Sequence, residues 1–205
     1  MTDWHSYAPG EGHRLAHDPL NAIVAPRPIG WIGTVSAEGA ANLAPYSFFN
    51  LFNYRPPIIG FSSTGWKDSL ANIAETGAFT WNLVTRDLAE AMNATSATLP
   101  RGADEFAHAG LAKLPSRLIA APRVALSPVQ FECRHTQTLR LQAQDGRELD
   151  QWVVFGEAVM IHIDPALLED GVYQTACPRP ITRGGGPADY FEINEDALFR
   201  MKRPE

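Results

Sequence analysis

Arg27-Pro28-Ile29-Gly30-Trp31-Ile32-Gly33-Thr34-Val35-Ser36 leads through Ala37-Glu38-Gly39-Ala40 into Asn42-Leu43-Ala44-Pro45-Tyr46-Ser47-Phe48-Phe49-Asn50. The run 29–36 is apolar and β-branched enough to predict a strand. Residues 37–40 have a turn's composition, with Gly39 free to take positive φ. Residues 42–46 then return as the second arm of a hairpin. Pro45 has no N–H to give to a ladder. That arm therefore belongs at a sheet edge, or where backbone groups serve a ligand.

Downstream, Pro56-Pro57 opens an apolar run through residue 63. Asp68 is placed to cap a helix with Leu70, Ile73 and Ala74 at helical spacing, and Gly77 to end it. A strand is expected over 78–84. Asp87 with Glu90 gives a capping-box-like start to a second helix, residues 87–97. Residues 98–116 read as loop, with a helical turn around Glu105–His108. Val129–Leu141 and Val153–Ile163 are strand-like, and Asp145-Gly146 has the composition of a hairpin turn. Asp164-Pro165 begins a short helix, and Gly184-Gly185-Gly186 precedes Tyr190-Phe191.

Upstream, residues 1–17 read as an irregular arm. Asp18 and Pro19 start a helix over Leu20–Ala25, which Pro26 and Pro28 stop. Strands outnumber helices and helices fall between them. The expected fold is mainly β with peripheral helices, in one domain over residues 18–205, rather than alternating βαβ units. No G-x-G-x-x-G follows a strand, so the dinucleotide fingerprint is absent.

The chain has 205 residues and a formal net charge of −6. That balance argues against general binding to nucleic acid or to an anionic membrane. No apolar run is long enough to span a bilayer, and the first residues lack a secretory signal's pattern. Cys133 and Cys177 are far apart and in no metal spacing, so they read as free thiols of a cytoplasmic protein. His5, His13 and His17 lie without carboxylate or Cys partners, and no metal site is expected. His162 reads as a structural or surface residue, and Trp31 and Trp66 as packed.

Two segments carry candidate chemistry. In Phe61-Ser62-Ser63-Thr64-Gly65-Trp66-Lys67-Asp68-Ser69, a strand ends in hydroxyl residues and meets a lysine at a helix start. Free N–H groups and the helix dipole make such an end attractive to phosphate. The same pattern also serves as an ordinary capped loop. Lys67 is the only cation beside the hydroxyls in sequence. In the first segment, Asn42, Ser47 and Asn50 sit among aromatic and apolar neighbours. That mixture suits a flat heterocycle, and equally suits a core with turn-forming asparagines.

Taken together, the R-P-I-x-W-x-x-T-V, N-L-A-P-Y-S-x-F-N and K-D-S-L-x-N-I runs, in this order, resemble the FMN-binding split-barrel family of flavin reductase-like proteins. Asn82-Leu83-Val84, Ala91-Met92-Asn93-Ala94-Thr95-Ser96 and Val159 to Asp164 are similar to it too. The resemblance covers roughly residues 15–190. It implies a split β-barrel, a homodimer, and FMN reduced by NADH or NADPH near the subunit interface. A flavin-dependent monooxygenase or other electron acceptor would take the electrons. An FMN-containing electron carrier and a non-catalytic flavin module are the alternatives. By position, Thr34, Asn42, Ala44, Pro45, Ser47 and Asn50 would line the isoalloxazine and ribityl chain. Ser62, Ser63, Lys67 and Ser69 would surround the phosphate, with Arg183 a further candidate. No catalytic side chain is implied, because the cofactor carries the difficult chemistry.

Overall fold

A computed structural model describes residues 2–204. Its centre is a seven-stranded antiparallel sheet. After two short elements, α1 (Leu20–Ile23) and β1 (Arg27–Pro28), the sheet strands are β2 (Gly30–Val35), β3 (Ala41–Tyr46), β4 (Phe49–Tyr54), β5 (Pro57–Thr64), β6 (Ala78–Asn82), β9 (Val129–Gln142) and β10 (Glu148–Ile163). The intervening α2 (Asp68–Thr76), α3 (Ala89–Ala94), α4 (Glu105–His108), β7 (Lys113–Leu114) and β8 (Arg123–Val124) are peripheral. Beyond β10 come β11 (Leu168–Glu169), β12 (Val172–Tyr173), β13 (Ile181–Arg183) and β14 (Tyr190–Glu192). Strand order in the large sheet is β3-β2-β6-β9-β10-β5-β4, and β13 pairs with β1 and β14 in a smaller one. The fold is mainly β with peripheral helices, as expected.

The two edges of the sheet, β3 and β4, are consecutive in sequence. Only Ser47 and Phe48 separate them. Three residue steps span at most about 11 Å, so the sheet must roll until its edges meet at that corner. Phe48 O accepts from Ser62 N at 2.8 Å, and the Tyr46 and Phe61 rings lie 4.5 Å apart. The result is a barrel hydrogen-bonded around its wall except along the β3/β4 seam. One core, with Ile32, Phe61, Phe79, Cys133 and Val154, fills the inside and packs under Leu70 and Ile73 of α2. A second, with Trp31, Leu43, Met92 and Phe106, lies between the wall and the peripheral helices.

Several boundaries differ from the sequence reading. The first helix stops at Ile23, although Asp18 Oδ1 does accept from Leu20 N at 2.9 Å. Lys67, not Asp68, is the N-cap of α2, and Asp68 Oδ2 instead accepts from Gly102 N at 3.2 Å. Asp87 and Glu90 form no capping box. Residues Arg86–Leu88 make a 3-10 turn without a side-chain cap, and α3 begins only at Ala89. Strand β6 ends at Asn82 rather than residue 84. The Asp164-Pro165 helix is a 3-10 turn, Pro165–Leu167, capped by Asp164. Strand β4 was not anticipated. Its asparagines and the register shift between Leu51 and Asn53 obscure the alternation. Pro45 does lie on an edge strand, and Trp31 is packed, donating to Thr95 Oγ1 at 3.0 Å. Cys133 and Cys177 are both free thiols.

The β9–β10 hairpin shifts register between Phe155 and Gly156 and again between Ala158 and Met160, which bends long strands around a barrel. At Gly156 a side chain would overlap the fully buried Phe79 ring. Gly156→Ala should cost about 1–3 kcal/mol by overpacking. For a chain of this size that lowers Tm by roughly 2–12 °C, which a thermal melt would read.

Near the far end of the hairpin, Glu132 is fully buried. Its carboxylate accepts from Arg117 N at 2.8 Å and Leu118 N at 2.7 Å, and pairs with His162 Nε2 at 2.7 Å. Burial alone would raise its pKa, but these partners outweigh it and hold the group below the ordinary carboxylate value. A depressed acid stabilises the fold fully above its unfolded pKa, about 4.3. That contribution is lost as pH falls through the folded value. Denaturant titrations should therefore show Glu132→Gln much weaker than wild type at pH 7, with the gap closing below about pH 4.

Candidate functional site

Beside the free edge of β3 lies a cleft of about 590 Å³. Its walls are Asn42, Ala44, Pro45 and Tyr46 of β3, Lys67 to Ser69 at the start of α2, residues 95–99, Arg101 and Glu105. The structure thus brings together Asn42, Ala44, Pro45, Lys67 and Ser69 from distant stretches.

A polar network fixes this wall. Asn42 Nδ2 donates to Ser69 Oγ at 2.9 Å and to Thr34 Oγ1 at 3.2 Å. Asn72 Nδ2 donates to the same Thr34 Oγ1 at 3.0 Å. One hydroxyl on β2 therefore ties β3 to α2. Thr34 is fully buried, so it supports Asn42 from behind rather than lining the cleft. Burial raises the pKa of the Tyr46 phenol, opposed in part by the hydroxyls of Ser69 and Ser63.

The outer edge of β3 faces the cleft with backbone groups that no strand takes. Leu43 N donates to Glu105 Oε2 at 3.1 Å. Two residues on, at the same edge, Pro45 has no N–H to leave unpaired. Such an edge offers carbonyl acceptors to a ligand. Charge is supplied from two places. Lys67 is exposed at the start of α2, and Arg101 is exposed on the facing loop, with Glu75 at 3.9 Å as its ion-pair partner. The sequence showed only Lys67. Arg101 lies in a stretch read as loop, Glu105 in the helical turn within it and Thr95 near the end of the expected 87–97 helix, and no local pattern placed them against β3.

The other candidate residues lie elsewhere. Ser47 sits in the corner. Ser62 is on the opposite face of β5 from Ser63 and receives a hydrogen bond from Gln151. Ser63 is buried, donates to Gly65 O at 3.1 Å and lies behind the cleft wall beside the Tyr46 phenol. Asn50 borders a separate apolar cavity of about 350 Å³ formed with Phe49, Trp81 and Phe131. Arg183 is held in its own loop by the carbonyls of Asp189, Gly186 and Pro187, and its guanidinium lies 4.8 Å from the Tyr190 ring centre. His162 pairs with Glu132, a structural role.

The flavin reductase like domain matches residues 24–180, a span that holds both the barrel and the β3–α2 wall of the cleft. The chain belongs to this family. An uncharacterized protein from Aquifex aeolicus is 35% identical over 172 residues, 80% of this chain and 83% of its own. Among solved structures, nitrilotriacetate monooxygenase component B from Bacillus cereus is similar at a TM-score of 0.87 and 28% identity, covering 98% of this chain and 100% of its own. The 2-nitrobenzoate 2-nitroreductase of Pseudomonas fluorescens reaches 0.78 at 28% identity, covering 90% and 88%. The architecture of this flavin reductase-like chain is the split barrel.

The Thr34 hydroxyl accepts from two buried amides, so Thr34→Val would leave both short of a partner while conserving shape. Each orphaned donor costs about 1–3 kcal/mol. Urea unfolding should show a loss of about 2 kcal/mol or more, with an unchanged m-value.

Proposed function

We propose that the protein binds FMN in the cleft beside β3 and acts as an NAD(P)H-dependent flavin reductase in the cytoplasm. The observation that carries this reading is the cleft's combination of a free strand edge at one side and two cations, Lys67 and Arg101, at the other. A flat ring with imide and carbonyl groups suits the first, and a phosphate the second. The family and the two 28%-identical oxidoreductase neighbours support it.

When bound, FMN would supply the redox chemistry, hydride acceptance from a reduced nicotinamide and onward electron transfer. The chain's own task is to hold and to shield. The Thr34–Asn42–Ser69 network keeps the β3 wall rigid, Ala44 and Pro45 present backbone to the ring, and Lys67 and Arg101 neutralise the phosphate. Ser63 supports the wall behind Tyr46, and Ser47, Asn50, Ser62 and Arg183 join this site only if a second copy or a closing of the corner brings them to it. The likeness to a protein named as a monooxygenase component favours a monooxygenase as the electron acceptor here.

A homodimer is part of the same proposal. Strand β4 is an edge strand whose Leu51, Phe52 and Tyr54 are exposed, and Ile23 and Val24 of the α1 region are exposed too. An apolar edge of this kind calls for a cover. Light scattering at micromolar concentration should give the mass of two chains; a monomer that keeps FMN would sink the shared site.

Fluorescence titration tests the cofactor assignment. Lys67→Ala and Arg101→Ala should each weaken FMN on the order of 10- to 100-fold, while riboflavin, which lacks the phosphate, loses far less. Equal losses for both flavins would remove the two cations from the phosphate site. Anaerobic NADH or NADPH should then bleach the bound flavin; an unbleached flavin with both would reject the reductase reading.

A further inference from the structure

Glu105 opens α4 directly behind the β3 edge and is only 8% exposed. One carboxylate oxygen accepts from Leu43 N, standing in for the neighbouring strand that β3 lacks. The same side chain lines the cleft with Ala44, Pro45, Lys67 and Arg101. Yet among the described residues no cation pairs with it. Arg101 pairs with Glu75, and Lys113 with Asp104. The charged groups around it are Asp68 and Lys67 from α2, Asp104 from its own N-cap, Arg101 from the loop and Lys113 beyond Asp104. Tyr46 on β3 is the neighbouring phenol.

A buried acid in a binding cleft, without a counter-ion, is a group whose charge a ligand can change. We propose that Glu105 is the proton-uptake site of the cleft: entry of an anionic flavin drives a proton from solvent onto its carboxylate, so occupancy and protonation are linked. The inference rests on the flavin reading above and specifies how that site is regulated. Three physical effects act in the same direction. Burial already raises the Glu105 pKa, and the nearby Asp68 and Asp104 charges add to it, against the opposing pull of the Leu43 amide. A bound flavin displaces water from the cleft, which removes more solvation from the carboxylate. Its phosphate brings further negative charge into the same cleft. Once protonated, the acid keeps one oxygen for Leu43 N and gains an O–H that can donate to an acceptor on the ligand.

The linkage has a fixed sign. A ligand that raises an acid's pKa binds more tightly at low pH, and its affinity falls as pH rises through the free and then the bound pKa. If flavin makes the carboxyl hold its proton about tenfold more tightly, flavin affinity falls about tenfold across that range. Protonation of the FMN phosphate, near pH 6, pulls the other way. It is common to wild type and variant, so their difference isolates Glu105.

The experiment is calorimetric titration of FMN into the full-length protein, between pH 5 and 8, in buffers of different ionisation enthalpy. This counts protons taken up per flavin bound. Wild type should take up protons, and Glu105→Gln should lose most of that uptake and bind FMN with a flatter pH profile. Equal uptake by both proteins would overturn this inference and leave the flavin assignment standing. Absence of any FMN-binding heat in wild type would overturn both. Should the Gln variant fail to fold, infrared difference spectra of glutamate-labelled wild type with and without FMN decide the matter. A protonated-carboxyl band that grows with FMN supports the proposal, and a spectrum without one defeats it.

Discussion

Everything in this molecule depends on a link two residues long. Ser47 and Phe48 carry the chain from one edge of a seven-stranded sheet to the other. So short a connection cannot cross an open sheet, so the sheet has to curl. Curling needs strands that bend, which the bulges of the β9–β10 hairpin provide, and close approaches that only glycine permits, as at Gly156 against Phe79. It also leaves one line along the wall where backbone groups face no strand. The cleft lies beside the β3 side of that line. Closure and binding site are two results of one geometric requirement.

Burial raises the pKa of both buried acids, yet they end on opposite sides of the ordinary carboxylate value. Glu132 is surrounded by two backbone amides and His162, and these hold it ionised. Glu105 has the Leu43 amide and like charges beyond it, and its proton is held more tightly. At Glu132 the hydrogen-bond donors outweigh burial, and at Glu105 burial outweighs the donors. The first arrangement anchors the loop at Arg117 and Leu118. The second leaves a titratable group facing a cleft.

Much of this could be read from the sequence, for reasons that are local. The hairpin of β2 and β3 follows from the pattern 29–46, Pro45 marked an edge because a missing N–H is a covalent fact, and α2 with Gly77 at its end follows from helical spacing. Strand β4 escaped because Asn50 and Asn53 disturb its alternation and a bulge shifts its phase. The caps at residues 68 and 87 failed by one or two positions, since an aspartate near a helix start can serve a distant amide, as Asp68 serves Gly102. The cleft was half legible. Asn42, Lys67 and Ser69 stand in runs whose order resembles a known family. Arg101 and Glu105 come from a loop and from the start of α4, whose place against β3 is set by long-range packing of Phe106 and Leu111 into the outer core, which no window of sequence displays. Thr34 lies beneath the wall of the cleft, and a residue beneath a wall has the same polarity in sequence as one beneath a ligand.

Strand order also sets a timetable for the growing chain. The pairs β2–β3 and β4–β5 are neighbours in sequence and can form hairpins early. No strand ladder joins one hairpin to the other until β9 and β10 exist, because β6 rests on β9 and β5 on β10. Ser62 waits for Val153, its partner across the ladder. A ribosome making this protein from its N-terminus therefore releases two finished halves of a wall, with aromatic edges bare, well before the strands that unite them. Contacts of such long sequence separation form slowly. The interval before residue 163 emerges is when this chain has most need of a chaperone, and a translational pause placed before β9 would lengthen it.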